Sequence, residues 1–90
     1  MASIYLAGAI KLGVQRGAAR ARCWGWYMSK EAALDRIQTD PLFFENWYDV
    51  ALIEEYTEGS CLARAESWYS KQGKSISKPE EHKHTVSFLL

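Results

Sequence analysis

Proline and cysteine are scarce in this 90-residue chain, which carries two of each. Cys23 and Cys61 form no close pair and no Cys-x-x-Cys, so the sequence holds neither a disulfide framework nor the ligand spacing of a structural zinc site. They read as reduced, partly buried thiols of a cytoplasmic protein. Long apolar runs are missing as well. The longest near the start, residues 4–10, is far below the roughly 20 residues a membrane helix needs, and no basic residue precedes it. Neither a signal peptide nor a membrane span is expected.

Catalytic signatures are equally thin. Gly13-x-x-x-Gly17 lacks the Gly-Lys-Ser/Thr ending with which a phosphate loop holds its nucleotide. Glu54 and Glu55 are adjacent on a strand-like run, where neighbouring side chains point to opposite faces and so do not converge on one substrate. His82-x-His84 puts two imidazoles on one side of an extended segment, but two ligands are too few for a zinc site. Cys61 beside those histidines has no third residue to orient a nucleophile pair. We therefore expect no metal, no cofactor and no enzyme activity.

What the chain does have is apolar surface. Hydrophobic residues make up 48% and aromatic residues 13%, including four Trp and five Tyr, against 24% charged. That balance lies far from the composition of a disordered chain and suits one domain spanning residues 1–90. The formal net charge of zero conceals strong segregation. Residues 1–30 carry Lys11, Arg16, Arg20, Arg22 and Lys30 and no acid, whereas residues 31–58 carry eight acids against Arg36 alone. Such segments either steer a charged partner or neutralise one another across a sheet.

Residues 4–10 form a short apolar run bounded by Lys11 and Gly13, the length of a buried strand. Residues 23–28 read as a second strand, in which Gly25 permits a bulge. Ser29 is suited to cap a helix over residues 30–38, with Ala33, Leu34 and Ile37 on its core face and Asp40-Pro41 as its stop. Consecutive apolar residues at 50–53 predict a strand covered on both faces, with Glu54-Glu55 marking its emergence into water. Residues 68–71 and 74–77 predict a hairpin around Gln72-Gly73-Lys74. Alternation at Val86, Phe88 and Leu90 predicts a last half-buried strand. Together these give an α+β fold: a small, mainly antiparallel sheet of four to five strands with one helix packed on one face.

The run Gly25-Trp26-Tyr27-Met28-Ser29-Lys30-Glu31-Ala32, with Tyr48-Asp49-Val50-Ala51-Leu52-Ile53-Glu54-Glu55, Glu58-Gly59, Trp68-Tyr69 and Lys78-Pro79-Glu80, resembles short accessory proteins of tailed bacteriophages. That group has no assigned chemistry. The resemblance implies a phage setting, in the host cytoplasm, where small proteins often block host immunity as anti-CRISPR proteins do.

Two surfaces emerge as candidates. Phe43, Phe44, Glu45, Trp47, Asp49, Glu54, Glu55 and Glu58 set aromatic anchors among carboxylates, which suits a host defence protein or nucleoprotein complex with a basic groove. Lys11, Arg16, Arg20 and Arg22 beside Trp24 and Trp26 set cations beside indoles, which suits a sequestered nucleotide signal or single-stranded nucleic acid. The leading expectation is a non-enzymatic inhibitor using the acidic surface. A homodimer through an apolar sheet face or the 86–90 tail is expected too, because one short helix hides little aromatic area.

Overall fold

A computed structural model of the chain describes residues 2–13, 20–85 and 87–89. Five strands and one helix follow in the order β1 (Ser3–Ile10), β2 (Ala21–Tyr27), α1 (Lys30–Thr39), β3 (Val50–Thr57), β4 (Ala65–Tyr69) and β5 (Ser75–Ile76), with a 3₁₀ turn at Glu80–His82. The strands form one antiparallel sheet in the order β2-β1-β3-β4-β5. The fold is thus α+β, as the element pattern predicts. No helix among the described residues is long and apolar enough to cross a membrane.

α1 begins where expected, because Ser29 is extended and its Oγ accepts the Ala32 N–H at 3.1 Å. Ala33 and Ile37 are buried against one face of the sheet, joined by Ala7, Ala9, Ala51, Ile53, Tyr69 and the fully buried Phe43. Small alanines on β1 and β3 leave room for the helix and for Phe43. The opposite face carries Ile10, Val50, Leu52 and Trp68, against which Phe88 and Leu89 pack. The second apolar face is thus covered in part by the chain's own C-terminal segment.

Four expectations need correction. β3 continues to Thr57, and Glu54 is fully buried rather than emerging into water, because the C-terminal segment folds over it. Phe43 lies in the core rather than on a contact surface. No strand forms at the described residues near the C-terminus; the Phe88 and Leu89 N–H groups donate to the Glu54 carboxylate and Ser87 Oγ accepts the Ala63 N–H, in place of a ladder. Val86 and Leu90 lie outside the described residues. Finally, both thiols are exposed, one on edge strand β2 and one in the loop before β4.

Candidate functional site

The basic and acidic segments meet at one end of the sheet, where they pair with each other. Asp49 follows directly on the aromatic turn of residues 41–47, and its backbone N–H bonds to the Ile10 carbonyl at the end of β1. That places its carboxylate to accept the Leu12 N–H at 2.8 Å and to sit 3.3 Å from Lys11 Nζ. The backbone bond first, and Lys11 next, hold the Asp49 carboxyl below the usual carboxylate range. Lys11 also lies over the Trp47 ring, 4.9 Å from its centroid. On β2, Arg22 bonds Glu45 at 2.6 Å and stands over Trp24 at 4.6 Å. Lys11, Arg22, Glu45 and Asp49 therefore neutralise one another in pairs, the second of the two outcomes open from charge segregation.

Trp24 and Trp26 do not form one indole surface. The register slips between Ala7/Gly25 and Gly8/Cys23, so Trp24 is the extra residue of a bulge, next to Gly25 at φ +130°. A regular strand would put both indoles on one side. The bulge instead turns Trp24 toward the helix layer, stacked on Phe43 at 5.5 Å, while Trp26 stands in register with Leu6 on the opposite face. With Phe43 and Arg22 packed against it, the Trp24 ring takes a base only by displacing one of them. Arg20 is half-buried, and Arg16 lies outside the described residues.

The acidic set is dispersed. Phe44 is partly buried edge-on against Phe43, whereas Trp47 remains 46% exposed. Glu55 lies on the helix side, 3.7 Å from Arg64, and Glu58 is exposed in the turn after β3. Asp49 and Glu58 flank opposite ends of β3, separated by about 25–30 Å at the rise of an extended strand. No single contiguous surface joins them.

Two features lie outside both surfaces expected from the sequence. The first is an open apolar strip on the sheet face that carries the C-terminal segment, where Trp26 is 62% exposed on edge strand β2 and Met28 is exposed just beyond it. Leu6, in register with Trp26, is buried, and Ile4, half-buried two residues along β1, leads into a depression of about 400 Å³ lined by Ala2, Ile4 and the residues from Tyr56 to Ser60. The signal for it was alternation along β1 and β2, read together with the slip that releases Trp26 from Trp24.

The second is a buried polar cluster under the C-terminal segment. Glu54 Oε1 accepts the Tyr56 hydroxyl at 3.1 Å and the Leu89 N–H at 2.9 Å, and Oε2 accepts the Phe88 N–H at 2.8 Å. Across the strand pair, Glu66 takes Lys78 at 2.8 Å and the Trp68 indole N–H at 3.2 Å. Burial, with the nearby Glu54 carboxylate adding to it, pushes the Tyr56 phenol up to about 12. His82 is buried and His84 exposed, so the two imidazoles do not act as a pair. Among the described residues, no group of three or more His, Cys, Asp or Glu is placed to hold a metal ion.

No family model, curated protein or solved structure matches the chain. The geometry alone therefore bears on function, and it distinguishes an open apolar strip from charges that are already paired.

Proposed function

We propose that the protein is a non-enzymatic binding protein that inhibits a component of host antiviral defence, docking through the strip formed by Trp26, Met28 and Ile4. One observation carries this reading: a tryptophan 62% exposed on an edge strand, beside a largely apolar depression. Indoles at the centre of such surfaces dominate protein–protein binding energy. The phage-like character of Gly25-Trp26-Tyr27-Met28 supports the host-defence setting. Glu58, at the rim of the depression, supplies a carboxylate for a basic partner.

The docking surface thereby moves from the 43–58 segment to the face of β1 and β2 that the C-terminal segment leaves open. Sequestering a nucleotide, or binding nucleic acid, through Lys11 and Arg22 requires those cations to exchange Asp49 and Glu45 for phosphate. Nothing in their geometry favours that exchange.

The test is capture of defence complexes by the wild type and by Trp26→Ala, with affinity measured on the captured partner. Truncating an anchor of this kind costs at least about 2 kcal/mol, roughly 30-fold in Kd. An exposed site leaves stability within about 0.5 kcal/mol. Undiminished affinity of the Trp26→Ala variant sinks the proposal. Light scattering separates the other use of the strip: a homodimer that Trp26→Ala converts to monomer would assign it to self-association.

A further inference from the structure

The described residues of the C-terminal segment cover part of a sheet face without joining the sheet. Among the described residues, the hydrogen bonds tying residues 78–89 to the rest of the chain each use a side chain. Lys78 bonds Glu66 at 2.8 Å, and the Glu81 carboxylate accepts the Gly13 N–H at 3.0 Å. Ser87 Oγ accepts the Ala63 N–H at 2.9 Å, and Glu54 accepts the N–H groups of Phe88 and Leu89. Its backbone bonds, His82 to Pro79, Lys83 to Glu80 and Thr85 to His82, are internal. None of the segment's described residues belongs to the helix-side core around Ala33, Ile37, Phe43, Ile53 and Tyr69. Opening this segment therefore breaks no sheet ladder, which is how locally weak, separable units are built.

His82 sits at the centre of the contact. Its ring stacks on Trp68 at 6.3 Å and meets Phe88 edge-on at 5.0 Å, with 3% of the residue exposed. Nε2 is buried and has no hydrogen-bond partner; the nearest carboxylate oxygen, on Glu81, is 3.7 Å away. A protonated imidazole has two N–H donors and a charge, and Nε2 meets aromatic walls with its one nearby carboxylate oxygen beyond hydrogen-bond distance. The charged groups facing it are mixed. Glu81 favours the imidazolium, while Arg20 from the segment before β2 and Lys78 from the C-terminal segment oppose it.

We propose that residues 78–85 and 87–89 belong to a strap that acid releases from the sheet, with His82 as the trigger and the groove over Gly8, Leu52 and Trp68 as the surface uncovered. Gly8 shows how closely the strap is seated: a Cβ there would overlap Leu89 Cδ2 and lie 2.7 Å from the Arg22 carbonyl oxygen. Burial is the largest influence on His82 and holds its protonation below the ordinary imidazole value. Its contribution to closure is thus complete above that ordinary value and falls away as pH drops below it toward the folded value. Each unit of displacement corresponds to about a tenfold change in the closed-to-open ratio. None of this depends on the partner assigned above.

Nuclear magnetic resonance on the full chain between about pH 7.5 and 5, where an imidazole changes charge, tests it. The His82 ring shifts and the exchange protection of the Phe88 and Leu89 amides should change with one midpoint, while the Ala51 and Ile53 amides on central β3 keep their protection. His82→Phe, which retains an uncharged ring, should hold Phe88 and Leu89 protected across the range. Overturning results are His82 titrating with no change at those two amides, the same loss of protection in His82→Phe, or simultaneous loss at Ala51 and Ile53. A His82→Phe chain that fails to fold leaves the midpoint comparison in the wild type to decide.

Discussion

Replacing Glu54 by Gln perturbs the one fully buried carboxylate among the described residues, at a site where three donors converge. Glutamine keeps one oxygen and puts an amide NH₂ where the other stood, so at least one N–H of the strap or the Tyr56 hydroxyl then faces a donor. A hydrogen bond to a charged acceptor contributes about 1.5–3 kcal/mol, and a buried donor without a partner costs about 1–3 kcal/mol. With the strap closed, the expected loss is about 2–4 kcal/mol, allowing one surviving bond. Both amides belong to the strap, so opening it hydrates them, and the global loss does not exceed the free energy of closure. Two assays read this together: urea unfolding monitored by tryptophan fluorescence, and exchange of the Phe88 and Leu89 amides. The urea midpoint should fall, or those amides should lose protection first. Glu55→Gln is the control, half-buried and 3.7 Å from Arg64, with an expected change within about 0.5 kcal/mol. A Glu54→Gln chain with the wild-type midpoint and fully protected Phe88 and Leu89 amides would refute the account of this cluster.

Phe43→Ala empties a fully buried site between Trp24 and Phe44 and should cost about 3–5 kcal/mol in urea unfolding, well above any effect of trimming the neighbouring exposed Leu42. Ser29→Ala removes the bond to the Ala32 N–H and should lower stability by about 1 kcal/mol, whereas Ser29→Asp should retain it. Asp49→Asn should destabilise by about 1 kcal/mol at neutral pH. The Asp49 carboxyl is depressed in the fold, so its stabilisation is present above the ordinary carboxylate value and lost as pH falls through the folded one; the wild-type advantage should vanish in acid titrations. Tyr56 is raised to about 12, so its contribution survives up to the ordinary phenol value near 10 and disappears as pH rises through 12; ultraviolet titration should show a late-ionising component that Tyr56→Phe removes.

Local chemistry determined what lies within a few residues of itself. Ser29, the spacing of Ala33 and Ile37, and Asp40-Pro41 specify α1 because caps and amphipathic periods act within one or two turns. The apolar runs in β1 and at the start of β3, and Gly73 at φ +77° between β4 and β5, are short-range signals of the same kind. Alternation along β3 tells which residues share a face with Glu54 but not what covers that face. The cover is Phe88 and Leu89, 34 and 35 residues away, and their N–H groups are what make a buried carboxylate tolerable. Charge segregation was plain in the sequence, yet Lys11 meets Asp49 across 38 residues and Arg22 meets Glu45 across 23, so only the sheet order β2-β1-β3 turned two charged segments into paired ones. The separation of Trp24 from Trp26 belongs to the tertiary structure for the same reason: one extra residue opposite the Ala7–Gly8 step reverses the side of everything beyond it, and a bulge is set by the partner strand as much as by the glycine that permits it.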